Sequence, residues 1–248
     1  LVRRWLYCNH GYYVIRRMDR RSGFEPVDGW DFQQSRAGMP EGTVHSELLR
    51  RPGKLYVLAS HFHPDHFNKE VLQWREQRPD IIYIFSKDIL RHRRAQKEDA
   101  VWLKKGEEYK DETLSVRAFG STDVGVSFLL QASGKKIFHA GDLNNWHWMD
   151  ESTEAEWKGA EKNFLHELDD LYAYTPEVDV AMFPLTPVSG KEYMRGAGQF
   201  VTKIKTHIFV PMHFTPEYAK ANAFRDFAEA HGVRFVSLTH RGQKIEIE

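Results

Sequence analysis

Short apolar runs alternate with longer polar stretches along the chain, and the runs are rich in β-branched and aromatic residues. Tyr12 to Ile15, Leu55 to Ala59, Ile81 to Phe85, Leu114 to Phe119, Val124 to Leu130, Lys136 to His139, Val178 to Phe183, His207 to Val210 and Val233 to Leu238 read as strands. Ser133-Gly134-Lys135, between two such runs, signals a hairpin. Helical spacing marks other segments. From Ala155 to Tyr172, the residues Trp157, Ala160, Phe164, Leu168 and Leu171 recur every three or four positions with charged residues between them, the pattern of a helix with one face on a sheet. Asn68 to Gln77 is a second helix, with Val71, Leu72 and Trp74 on one side and Pro79 closing it. A third starts at Thr215-Pro216-Glu217 and ends at His231-Gly232. Thr215 is a capping residue, Pro216 has the preset φ of a first helical position, Glu217 complements the dipole and Gly232 suits a left-handed cap. The glycines from Gly190 to Gly198 lack the preceding strand and spacing of a dinucleotide fingerprint, and read as a loop entering a helix over Gly198 to Lys205. Strands with interleaved helices, without a repeat or linker, predict an α/β fold in one domain over residues 1–248.

Charge narrows the partners. Acidic and basic residues balance at 35 each, so there is no global attraction to nucleic acid or an anionic membrane. The densest basic cluster, Arg91-His92-Arg93-Arg94, reads as a solvated helix face. Cys8 is the single cysteine and cannot form an internal disulfide, which points to a reducing compartment. No apolar stretch follows Leu1 to Tyr7 as an export signal would require, and none reaches membrane-spanning length, so the expected location is the cytoplasm.

The chemistry concentrates in Ser60-His61-Phe62-His63-Pro64-Asp65-His66, directly after the run Leu55 to Ala59. Three imidazoles and a carboxylate so close together suit a borderline first-row cation such as zinc. On an extended backbone His61 and His63 turn toward one cation, and Pro64 redirects the chain so that Asp65 and His66 face a second. Two metals about 3.5–4 Å apart are common to many hydrolytic sites. Four local residues cannot complete two sites, and two distant segments offer the remainder. In Phe138-His139-Ala140-Gly141-Asp142 the glycine lets a carboxylate project from a tight bend, and Val210-Pro211-Met212-His213 ends a strand just before a helix. His139 reads as a buried histidine satisfied by a backbone carbonyl.

His61 to His66, then Gly141-Asp142, then His213 ahead of the C-terminal helix resemble the metallo-β-lactamase fold superfamily, nearest to its compact lactonase-like branch. The resemblance spans His61 to His213 and leaves Leu6 to Val14 and Gly29-Trp30-Asp31-Phe32 for the opening strands. It implies a four-layer αββα sandwich and one or two divalent metal ions, zinc foremost, with manganese or iron as alternatives. It also implies ligand roles: His61 and His63 on the first metal, Asp65, His66 and His213 on the second, and Asp142 as a bridge. Where the superfamily supplies a third histidine to the first metal, this chain reads Phe119-Gly120-Ser121-Thr122-Asp123-Val124-Gly125. The first site is therefore left to Asp123, to His147 or to water, or is weak or empty.

The function expected is that of a metal-dependent hydrolase using a metal-bound hydroxide on a small ester, lactone or phosphoester. Asp65 would hold and orient the nucleophile while also ligating metal. His147, in Asn144-Asn145-Trp146-His147-Trp148 close behind Asp142, is the candidate acid for the leaving group; its alternative is an exposed histidine on a packed loop. Trp146 and Trp148 would line a substrate pocket, and Tyr193 and Arg195 could reach a substrate anion. The alternatives are a phosphodiesterase or nuclease of the same fold, and a non-catalytic metal-binding domain with an incomplete first site. The expected partner is a small-molecule substrate, with neither nucleic acid nor membrane favoured and a homo-oligomer left open.

Overall fold

The computed structural model describes residues 2–8, 13–19, 23–26, 49–50, 52–214, 217–240, 243 and 245–246. The expectations placed on Tyr12, on Gly29 to Phe32, on Thr215 and on Pro216 lie outside these residues. The chain divides into two compact units, one made of residues 1–103 with 239–248 and the other of residues 104–238. The class is mixed α/β, as the spacing of strands and helices predicts.

The first unit is built on a sheet of seven strands. β1 (Val2–Cys8) pairs antiparallel with β2 (Tyr13–Asp19) and parallel with β3 (Gly23–Pro26), while β2 pairs antiparallel with β4 (Leu55–Ala59). β4, β5 (Ile82–Ser86) and β6 (Val101–Leu103) run parallel. β14 (Ile245–Glu246) adds to β3, giving the order β14-β3-β1-β2-β4-β5-β6. Every residue of β4 is fully buried, which is why it reads as an unbroken apolar run rather than an alternating one. Leu55, Val57 and Ala59 join Tyr83 and Phe85 in one apolar cluster. Helix α1 (Glu70–Gln77) adds Val71 to that cluster, with Leu72 and Trp74 packed at its margin, the face expected from their spacing. The short helix α2 (Lys87–Arg91) follows β5 at once.

The second unit carries the other sheet, also of seven strands. β7 (Glu108–Lys110), β8 (Ser115–Phe119), β9 (Ser127–Ala132) and β10 (Lys135–His139) form an antiparallel meander. β9 and β10 form the hairpin expected, through a two-residue turn with φ of 55° at Ser133 and 75° at Gly134, both left-handed as a turn matched to strand twist requires. From β10 onward the sheet is parallel through β11 (Glu177–Pro184), β12 (Lys205–Met212) and β13 (Arg234–Phe235).

Helix α3 (Glu154–Tyr174) exceeds its expected span by a few residues. Thr153 and Glu156 cap each other's backbone N–H, a box worth about 1 kcal/mol, and Phe164, Leu168 and Leu171 enter the core beside Phe183 and Phe200. Helix α4 (Arg195–Lys203) begins three residues before the position read from the sequence. The segment after Glu217 forms two short helices, α5 (Tyr218–Asn222) and α6 (Arg225–Ala230), instead of one. Phe224 at the break is buried against Phe209 and Phe235, and the Asn222 amide exchanges two hydrogen bonds with the Leu238 backbone. Gly232 takes the left-handed conformation, with φ of 74°, that its place after the helix demanded. No helix of the described residues is long and apolar enough to cross a membrane.

Candidate metal centre

In parallel sheets the groups that meet ligands gather beyond the carboxyl ends of the strands, and both units follow this rule. In the first unit β4 ends at Ala59 and the chain enters Ser60 to His66. The carbonyl of His63 accepts from the N–H of His66 at 2.9 Å and of Phe67 at 2.8 Å, so Pro64 to His66 make one tight turn. That turn folds His66 back onto His61, with ring centroids 3.9 Å apart, while the His63 ring stands edge-on to His61 at 4.7 Å. One ligating atom of His61 and one of His63 lie within 4.8 Å of each other. Asp65 sets a carboxylate oxygen 3.5 Å from Nε2 of His66. His61 and His66 are buried; Asp65 is exposed.

Ser60 organises the cluster. Its Oγ is 3.0 Å from Nδ1 of His61 and 3.4 Å from Nδ1 of His66, and a hydroxyl has two lone pairs to accept from both. An imidazole that donates through Nδ1 presents Nε2 as its ligating atom, the arrangement that orients metal-bound histidines. Asp88 of α2 secures the same loop from outside by accepting the N–H of Phe62 at 2.9 Å. Two residues past the end of α2 its backbone turns left-handed, with φ of 54° at Arg93, and His92 lies flat on Phe62 at 3.6 Å. Of the basic cluster only Arg91 is helical, since the N–H groups of Arg93 and Arg94 close the helix end on Leu90 and Ile89; the remainder is a turn rather than a helix face.

In the second unit three segments converge. The turn between β8 and β9 carries Asp123, the bend after β10 carries Asp142, and the end of β12 carries His213. Because β9 runs antiparallel to β10, its entry lies at the edge where β10 ends, and Asp123 and Asp142 bring carboxylate oxygens within 4.8 Å of each other. Thr122 ties the two segments together: its Oγ donates to the Asn144 carbonyl at 2.5 Å and accepts from the Asn144 N–H at 3.0 Å. Gly141 makes the bend, with φ of 55°. His213 also has a left-handed backbone, with φ of 59°, an uncommon conformation for a side chain that recurs at functional sites. Thr186, at the end of neighbouring β11, contacts its Nδ1 at 3.0 Å, and its Nε2 is 3.7 Å from Asp142.

The donor set fits a divalent cation. Two carboxylates within 4.8 Å repel one another, which a cation between them would reverse. Imidazole and carboxylate together are the chemistry of zinc and its first-row neighbours.

Other residues read from the sequence are occupied differently. His147 is buried, its Nε2 meets the Glu192 carbonyl at 3.0 Å and its Nδ1 accepts from the Met149 N–H at 3.1 Å. Both nitrogens hold the loop, so neither the exposed histidine nor the proton donor expected here matches this arrangement. His139 is buried, and its Nδ1 accepts from the N–H of Gly141 at 2.9 Å. Tyr193 donates to the Lys220 carbonyl at 2.9 Å and Arg195 to Glu161 at 2.8 Å, which leaves both engaged within the fold. Arg195 thereby holds the Glu161 carboxyl below the usual carboxylate range against the opposing effect of burial, with Gln199 and Asn145 adding to the same oxygen. Asp88, Thr186 and this Glu161 group were not found in the sequence, since each contact joins segments with no shared local pattern.

A family model described as beta-lactamase superfamily domain matches residues 29–214. No curated protein matches the chain. Among solved structures, Igni18, a metallo hydrolase from the archaeon Ignicoccus hospitalis, is 17% identical with a TM-score of 0.59, covering 98% of this chain and 97% of its own. The metallo-beta-lactamase fold protein YhfI from Bacillus subtilis is 9% identical with a TM-score of 0.52, covering 77% and 87%. The CmlA beta-hydroxylase is 12% identical with a TM-score of 0.53, covering 79% of this chain and 51% of its own. At these identities the likeness is one of fold.

Proposed function

The chain belongs to the beta-lactamase superfamily domain family, and from that membership we propose that it is a metal-dependent hydrolase acting on a small ester, lactone or phosphoester. The observation that carries this reading is the pair of ligand sets, one at the end of β4 and one at the ends of β10 and β12, each oriented by a hydroxyl residue, Ser60 or Thr186. In the proposed assignment, which follows the family resemblance, His61, His63 and Asp123 would hold one cation, Asp65, His66 and His213 would hold a second, and Asp142 would serve both. Asp123 thus takes the place of the histidine absent from this chain. Zinc is the first choice of metal, with manganese and iron next. Divalent cations bound there supply a Lewis acid for the substrate oxygen and lower the pKa of water. Asp65, about half exposed, would also accept a hydrogen bond from the attacking water and orient it. Neutral overall charge supports a small substrate over a nucleic acid.

The test is metal analysis of chain purified without chelators, followed by turnover of generic lactones and phosphodiesters with zinc, manganese or iron. Bound metal is expected, with lactone or ester cleavage that is lost in His66→Ala and Asp142→Ala while the fold persists. Turnover retained in either folded variant, or no metal bound under replete conditions, would defeat the proposal.

A further inference from the structure

Trp146, His147 and Trp148 alternate in direction. His147 is buried and fixed at both ring nitrogens, while its neighbours are part-exposed and exposed, with rings nearly parallel at 16° and centroids 6.3 Å apart. Trp146 is tied to the ligand residues: its indole N–H donates to the Asp142 carbonyl at 2.9 Å, and its ring stands edge-on to His213 at 5.9 Å. Two tryptophans therefore extend outward from Asp142 and His213 as one aromatic ledge.

The outer member is held in an unfavourable conformation. Trp148 has φ of 44°, which a bulky side chain rarely adopts. Such a conformation persists only where the surroundings over-determine it. They do so here on both sides. Before Trp148, His147 is pinned to the Glu192 carbonyl. After it, the Trp148 carbonyl accepts from the N–H groups of Glu151 and Ser152 at 2.8 Å each, and Asp150 accepts the Lys191 N–H at 3.1 Å. Gly190 closes the clamp, since a β-carbon there would stand 2.6 Å from the Asp150 carboxylate. This bracing keeps Trp148 about 36% exposed, against the Trp146 ring that touches Asp142 and His213.

We propose that Trp148, backed by Trp146, is a stacking platform that selects substrates bearing an aromatic or similarly flat ring next to the scissile bond. This rests on the hydrolase reading and narrows its substrate class. Ring stacking of about 1.4 kcal/mol corresponds to about tenfold in affinity.

The experiment compares benzylphosphonate with methylphosphonate, two probes that offer the same anion with and without a ring, by calorimetry on the zinc-loaded protein. Benzylphosphonate is expected to bind about tenfold more tightly. That ratio should collapse toward one in Trp148→Ala and persist largely in Trp148→Phe, which keeps a ring. A ratio near one in the unsubstituted protein, a ratio unchanged by Trp148→Ala, or no binding of benzylphosphonate overturns the proposal. Turnover of benzyl and ethyl acetate separates the two readings. A ratio near one with both esters cleaved removes the platform and keeps the hydrolase, whereas an intact ratio without cleavage of either keeps the platform and removes the hydrolase.

Discussion

Gly196 lies so close to Asn144 that a β-carbon at Gly196 would stand 2.1 Å from the Asn144 side-chain oxygen and 2.9 Å from the Asn145 backbone nitrogen. The first turn of α4 thus rests on the loop that follows Asp142. Asn144 is buried, and the oxygen in question accepts the Asn145 N–H, so it cannot swing aside without loss.

Gly196→Ala sets two effects against each other. Alanine gains roughly 1 kcal/mol over glycine in a helix interior, while forcing extra volume into a packed contact costs about 1–3 kcal/mol. The clash is expected to win. Urea denaturation should show net destabilisation, and chelator competition should show weaker metal retention as the Asp142 bend shifts. A variant of raised stability would mean that the loop yields freely.

Asp123→Ala distinguishes a ligand from a plain turn residue. Asp123 is exposed between Gly120 and Gly125, and one of its carboxylate oxygens lies within 4.8 Å of one of Asp142. Zinc affinity, measured against a chromophoric chelator, should fall by at least about tenfold, with the thermal midpoint of the metal-free chain within a few degrees of the original. Equal zinc affinity in both proteins would remove Asp123 from the ligand set.

Asp88→Ala should loosen the His61–His63 segment by leaving the Phe62 N–H without its acceptor, at a cost of about 1–3 kcal/mol. Amide exchange at Phe62 is the direct measurement and should accelerate. Asp88→Asn retains an acceptor oxygen and should restore most of the protection. Unchanged exchange in Asp88→Ala would show that the carboxylate does not secure the loop.

Glu161 links acid sensitivity to the same region. Its carboxyl is held below the ordinary value of 4.5 by Arg195 in the folded chain, so the unfolded chain binds the proton more readily. Its contribution is therefore complete above that value and disappears as pH falls through the lowered folded one. Glu161→Gln should cost about 1 kcal/mol at pH 7, with the gap from the original chain closing in urea denaturation series as pH falls through the lowered folded value. A gap independent of pH would show that charge at Glu161 is not what binds Arg195, Gln199 and Asn145 together.

What the sequence made legible was whatever a local pattern can carry. β4 matches its expected span because an unbroken apolar run is what double-sided burial demands, and α3 was visible through its spacing of Phe164, Leu168 and Leu171. His61 to His66 stood out because its candidate ligands are contiguous, while Asp142 and His213 stood out only as strand-end residues to which the resemblance then gave roles. The orienting contacts were hidden because they join Phe62 to Asp88, Thr186 to His213 and Asn145 to Gln199 across 26, 27 and 54 residues. The split between α5 and α6 was hidden for the same reason, since Asn222 answers to Leu238 and Phe224 to Phe209. His147 misled because adjacency to Asp142 says nothing of direction, and its ring faces the Glu192 backbone.

The pairing of β14 with β3 fixes an order of events during synthesis. A ribosome makes β3 early and β14 only after the whole of residues 104–238, so the second unit can fold from a contiguous stretch while the edge of the first sheet still waits for its last strand. Until β14 arrives, β3 presents an open backbone edge, the kind of surface that recruits other chains. A stop codon or proteolytic cut just after Leu238 would leave that edge open for good, and its first symptom should be lost solubility of the nascent product.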